Sequence, residues 1–377
     1  MRISTFIWKL LTLPALVAAG AAGIAEGRPV WFGTTTPQEG GSKGIYRADF
    51  DTESGKLSPA TLAAEIGSPG FLALHPDGTK LYAVGDVPGG GGVAAYAIAS
   101  DQGLERIGAQ VIGDGGGTHL AVHPSGKMLI TAQYGGGSVA VFPLDENGVL
   151  GPRAQLIVHE GGAGVVGDRQ DSPHPHWTGF DKAGRFAFVP DLGLDGVVIY
   201  EVELSPPRLT RHGFAKAPPG GGPRHMAFSP DESFAYVLNE LAVSVTTFRF
   251  DNSAGTLTPL ATVPALSEET KRKETFNSAS EIRVHPSGRF VFSANRGHDS
   301  ITAFRANAES GALAVVETEP IRGGWPRNFN LDPSGRWLLA AGRDSDTITV
   351  FRIDQDTGEL TYVREVIHVP SPICVLF

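Results

Sequence analysis

Residues 119–132 read HLAVHPSGKMLITA. Apolar and polar residues alternate into a His-Pro-Ser-Gly turn, and a second apolar run leaves it. Alternation with period two marks a half-buried strand, and Pro, Ser and Gly between two such runs make a tight hairpin. The phrase returns on both sides: FLALHPDGTKLYAV from Phe71, WTGFDKAGRFAFVP from Trp177, HMAFSPDESFAYVL from His225, EIRVHPSGRFVFSA from Glu281 and NFNLDPSGRWLLAA from Asn328. The turn glycines are Gly78, Gly126, Gly184, Gly288 and Gly335, and Glu232 takes that place in the unit beginning at His225.

Each hairpin is followed by another alternating run, such as SVAVFPLD at 138–145, SVTTFRFD at 244–251, SITAFRAN at 300–307 or TITVFRID at 347–354. A phrase like Thr-Gly-Glu-Leu (357–360) then opens one strand more. Four antiparallel strands in a repeat of roughly 50 residues make a β-propeller blade. Residues 30–58 match only the last three strands of a unit, and SPICVLF from Ser371 resembles the innermost strand SPGFLAL from Ser68. The two ends therefore combine into one blade, and with six whole units the sequence predicts an all-β, seven-bladed propeller. Sharing a blade between the termini also removes open sheet edges. No linker or charge block divides residues 26–377, which are expected to be a single domain.

Composition narrows the function. Lys+Arg number 31 and Asp+Glu 40, a net charge of −9, which argues against a chain that grips phosphate backbones. A local basic pocket for a small anion remains compatible with it. The single cysteine, Cys374, excludes an intrachain disulfide and a cysteine-based zinc site. Residues 1–25 carry Arg2 and Lys9, then the run LLTLPALVAAGAAGIA closed by small residues. That is the pattern of a cleaved secretory signal, and the run, broken by Pro14, is shorter than the ~20 residues a membrane span needs. The protein is expected to be exported, without stable membrane insertion after cleavage. The sequence does not fix its oligomeric state.

The repeat also ranks candidate site residues. Inner strands line the central channel, so positions about eight residues before and eight after each turn glycine lie at the same end of the hairpin. Before the turn stand Gly70, Thr118, His176, Arg224, Ser280 and Arg327; after it stand Asp86, Tyr134, Leu192, Glu240, Arg296 and Arg343. His119, His225 and Glu281 are one residue inside the first ring. Unpaired buried charge is costly, so charges gathered at one mouth point to an anionic ligand and proton transfer. His176, Glu240, Arg224 and Arg296 form the candidate catalytic group, with His225, His119, Arg343, Arg327 and Glu281 as candidate substrate contacts. Of His174 and His176 in RQDSPHPHW, at most one is expected to face the channel. No metal or cofactor is called for. Trp31, Trp177, Trp325 and Trp337 read as blade packing.

The phrases SKGIYRADFDTESGKL, YGGGSVAVFPLDENG, DRQDSPHPHW, FVPDLGLD, GPRHMAFSPDESFAYVLNEL, EIRVHPSGRFVFSANRGHDSI and PRNFNLDPSGRWLLAA carry a resemblance across nearly all of residues 30–377. The chain resembles the seven-bladed propeller lactonases, which include 6-phosphogluconolactonases and the 3-carboxy-cis,cis-muconate lactonizing enzymes. The resemblance implies an active-site group matching His176 in PHPHW, Arg224 in GPRH, Glu240 in LNEL and Arg296 in NRGHD. It implies a lactone hydrolase in which Arg224 and Arg296 hold an anion and the oxyanion, while His176 and Glu240 share the proton transfers. A carboxymuconate-type cycloisomerase and an exported binding propeller without catalysis are the alternatives. Two positions depart from the family pattern: Asp86 stands where an Asn-Glu pair is frequent, and Arg343 where Gln is common. Together with export, they point to a small anionic lactone or dicarboxylate that need not be a phosphorylated one.

Overall fold

A computed structural model describes residues 27–36 and 41–377. The expected signal segment lies outside the described residues. Seven four-stranded antiparallel sheets succeed one another along the chain, and successive sheets pack face to face in a ring. Six blades come from consecutive strands. The seventh joins Pro372–Leu376 as its innermost strand to Arg28–Thr34, with Trp31 opposite Leu376 and Phe32 opposite Val375. Gly44–Phe50 and Thr61–Glu65 complete it.

Alternation fixes which side chains meet which neighbour. Val30 and Phe32 pack against Trp337, Leu339 and Val350 of the preceding blade, whereas Trp31 turns to Leu72, Leu81 and Tyr96 of the next. Seven apolar clusters of this kind fill the seven blade interfaces. The ring thus closes by side-chain burial on both faces of the split blade.

The turns of the repeated hairpin are latched across blades. His75, His123 and His285 hold Nε2 at 3.2, 2.8 and 2.8 Å from the carbonyls of Gly126, Gly184 and Gly335 in the following turns. Those glycines have φ of +71°, +69° and +72°, and a Cβ at any of them would run into the histidine ring. Only glycine meets both demands without strain. Where the pattern is broken, Glu232 adopts φ +58° and its carboxylate accepts from Lys182 N–H at 2.7 Å, reversing the direction of the latch.

Candidate functional site

The first ring of positions opens into the channel through backbone irregularities. In the inner strand Pro223–Phe228, Pro223 is opposite Asn239 but His225 is opposite Leu238, so Arg224 is the extra residue of a bulge. Strict alternation would send Arg224 and His225 to opposite faces; the bulge turns both to one cavity. Similar shifts occur between Ala279 and Ile282, and between Pro326 and Asn328, around Arg327. His176 precedes its blade's first strand, and its N–H bonds Pro190 O at 3.1 Å.

Two adjoining cavities share Thr118, His176 and Arg327 in their walls. One, of about 230 Å³, is walled by Gly70, Phe71, Arg224 and His225 among others. The other, of about 330 Å³, adds Tyr134, Arg169, Glu240, Phe276 and Arg296. The candidate group His176, Arg224, Glu240 and Arg296 therefore lines these adjoining cavities, with His176 in the wall of both, although its members come from different blades.

Glu240 is the hub. Its Oε2 is 2.9 Å from Arg224 Nε; its Oε1 is 3.3 Å from Arg296 Nη2 and 2.8 Å from Arg169 Nη2. Burial alone would raise its pKa, but Arg296, Arg224 and Arg169 outweigh that and bring it to about 2. The arginines are braced from behind. Arg224 donates to Ser280 O, and Arg296 donates to Ala279 O at 2.8 Å. Burial, then Arg296, lowers Arg224 to about 9, and burial, then Arg296, lowers Arg327 to about 10, so both stay charged at neutral pH. Arg327 makes no hydrogen bond or ion pair among the described residues. Four arginines face one carboxylate in the adjoining cavities.

His176 is buried and held neutral. Burial and then the field of Arg224 push its pKa well below the ordinary value, and its Nδ1 has no partner among the described residues. His174 instead stacks on Tyr134 with centroids 4.4 Å apart and bonds Tyr134 O at 2.8 Å, away from the cavities. One histidine of PHPHW faces the channel; strict alternation would put residues two apart on the same face, but this stretch lies outside the regular strands and Tyr134 turns His174 aside.

The remaining candidates divide. His225 and Arg327 line the space. Glu281 lies behind His225, with Oε1 3.0 Å from His225 Nδ1. His119 lines neither cavity; its ring packs on Phe71 and Trp177 and borders a separate, mostly apolar hollow. Arg343 also lies outside both cavities, paired with Asp344 at 2.6 Å and stacked over Trp325. Trp31, Trp177 and Trp337 do pack between blades, but Trp325 does not: it stands between Arg296, Arg343 and Phe276 at the mouth. Of the second ring, Asp86 and Leu192 face neither cavity, Asp86 being exposed and Leu192 buried.

Sequence reasoning missed Arg169. It sits on the short 3-10 turn Gly167–Arg169, in the loop between two blades, and reaches both Glu240 and Tyr134 Oη at 3.2 Å. Gln170 pins that loop by bonding Leu192 O, Asp195 Oδ1 and Val166 N–H. Arg169 is outside the repeat, so no periodic signal marks it; its only clue is the dense RQDSPHPHW stretch.

The family described as Lactonase, 7-bladed beta-propeller matches residues 29–377. A 6-phosphogluconolactonase of Bacillus subtilis (strain 168) is 38% identical over 349 residues, covering 92% of this chain and 97% of that one. One from Formosa agariphila is 34% identical over 311 residues, 80% of this chain and 86% of its own. The solved periplasmic gluconolactonase of Pseudomonas aeruginosa superposes with a TM-score of 0.85 at 30% identity, over 93% of this chain and 98% of that chain. With the match running the length of all seven blades, the chain belongs to the seven-bladed β-propeller lactonase family.

Proposed function

We propose that this protein hydrolyses a small anionic sugar lactone in the adjoining channel cavities. The observation that carries the reading is the convergence of Arg224, Arg296, Arg327 and His176 on two adjoining cavities in which a single carboxylate, Glu240, offsets the arginines. A lactone is an internal ester. Water adds to its carbonyl carbon, negative charge builds on the carbonyl oxygen, and the ring C–O bond breaks as the ring oxygen takes a proton.

Fixed cations at the carbonyl oxygen stabilise that charge without reorganising. Arg224 and Arg296 are placed for this by Glu240 and by the Ser280 and Ala279 carbonyls. Arg327, unpaired, suits the substrate's own anionic group. Glu240 at about 2 is a weak proton acceptor, so its part is to hold the arginines. The proton movements fall to neutral imidazole on the wall, where His225 at about 4 is a stronger proton acceptor than Glu240. Neutral His176, beside the arginines, suits a hydrogen bond to the substrate's carbonyl or ring oxygen.

Export fits the same reading. Among the described residues no helix is long and apolar enough to cross a membrane, and the Pseudomonas relative is called periplasmic. The test is ring opening by residues 26–377, followed by acid release with 6-phosphoglucono-δ-lactone, glucono-δ-lactone and a carboxylated sugar lactone. Turnover of an anionic lactone above the spontaneous rate, weakened by salt, is expected. Spontaneous rates with all three would overturn the reading.

A further inference from the structure

The hydrolase reading leaves open which group takes the proton from water. His176 stands in the field of Arg224, Arg327 and Arg296, which opposes a positive charge on its ring. A second imidazole on the same cavity wall is built differently. His225 holds Nδ1 3.0 Å from Glu281 Oε1 across the blade boundary. The remaining capacity of Glu281 is taken by donors: Ile282 N–H at 2.9 Å, Asn328 Nδ2 and, at 3.4 Å, Arg283. A carboxylate so surrounded is ionised. Burial would raise its pKa, but Arg283 and His225 bring it to about 2.

An ionised carboxylate at Nδ1 fixes the tautomer. The neutral ring must carry its proton on Nδ1 and direct the Nε2 lone pair elsewhere. The ring's hydrogen bond among the described residues is the one at Nδ1, which leaves Nε2 to the cavity that His225 borders with His176 and Arg224. The His176 and His225 rings are 5.2 Å apart, edge to face, so a ligand reaching one is within reach of the other.

We propose that His225, oriented by Glu281 as its positioning residue, is the catalytic base that takes the proton from the attacking water. The proposal rests on the hydrolase reading. The water oxygen bonds to the carbonyl carbon while its proton passes to His225 Nε2. The imidazolium is stabilised by Glu281, and it returns the proton to the ring oxygen as the C–O bond breaks. The products are the hydroxy acid, which loses its own proton to solvent, and neutral His225. His176 then serves the carbonyl end with Arg224 and Arg296.

The groups facing His225 set the pH dependence. Glu281 and Arg283 face it from the neighbouring inner strand, Arg224 precedes it on its own strand, and the His119 and His176 rings pack on it with uncharged Phe71. Burial lowers its pKa, Glu281 raises it in part, and the result is about 4. A base works unprotonated, so activity should rise as pH climbs through that value.

Glu281→Gln separates this role from packing. All four neighbours of the carboxylate are donors, and Asn328 is locked by accepting Val375 N–H at 2.9 Å. The amide nitrogen is therefore driven toward His225, whose ring must then present a lone pair at Nδ1 and a proton at Nε2. With 6-phosphoglucono-δ-lactone as probe, kcat should fall about 100-fold or more, in the range of a lost acid–base group, with KM nearly unchanged. The acid limb of kcat/KM should move to lower pH, and Glu281→Asp should recover most of the rate. Imidazole ¹⁵N shifts, read without turnover, should show His225 protonated at Nδ1 in the wild type and at Nε2 in E281Q.

Wild-type kcat in both E281Q and His225→Gln would overturn the role of His225 and leave the hydrolase reading standing, as would a wild-type His225 protonated at Nε2. A wild type that opens no lactone would remove the hydrolase reading, and the base role with it.

Discussion

Glu240→Gln is the sharpest test of the arginine clamp. The substitution keeps the shape and removes the charge shared by Arg224, Arg296 and Arg169. The carboxyl has an ordinary value of 4.5 and a folded value of about 2. A difference of that size corresponds to about 3 kcal/mol of stability in favour of the ionised form. The sign follows from the lowered pKa: the stabilisation is complete above 4.5 and is lost as pH falls through 2. For a chain of this length, about 3 kcal/mol is a melting shift of roughly 4 °C. Removing one partner of a buried ion pair costs a similar amount, about 3–5 kcal/mol, because the cations are left uncompensated. Calorimetric melts of wild type and E240Q at pH 7 should differ by several degrees, with the gap narrowing to about half near pH 3. Co-melting at pH 7, or a gap unchanged down to pH 3, would refute the reasoning. A clamp also predicts that E240Q keeps the acid limb of kcat/KM where it is, since the group lost is not the titrating base.

Other outcomes follow from single contacts. Arg327→Met should raise KM for an anionic lactone by about 10-fold or more and flatten its salt dependence, with little change in melting, because Arg327 has no protein partner among the described residues to lose. Gly184→Ala forces a side chain to φ +69° and into the His123 ring, and should lower stability by about 1–3 kcal/mol in urea titration without altering KM. Deleting residues 371–377 removes the innermost strand of the split blade and uncovers the clusters around Phe32 and Trp31; loss of cooperative unfolding is expected by circular dichroism.

The architecture was legible because propeller repeats are local. Hairpin turns, period-two alternation and the missing innermost strand at the amino-terminal end are all written within stretches of about 50 residues. Counting from turn glycines even placed His176, Arg224 and Arg327 at one cavity, since antiparallel pairing converts equal spacing into equal height.

Counting failed where the backbone departs from regular pairing or the chain leaves the repeat. Alternation assigns Arg224 and His225 to opposite faces, and the bulge that unites them has no fixed sequence signature. Arg169 reaches Glu240, 71 residues away, from a loop whose path depends on Gln170 and Asp195. Counting put His225 and Glu281 at the same offset in successive repeats, 56 residues apart, but not that one would hydrogen-bond the other. The sequence by itself determined the number of blades and their closure, because those follow from local periodicity. Which charges touch, which imidazole carries a carboxylate and which arginine is left free were decided only in the assembled ring, where side chains from separate blades settle within reach of one another.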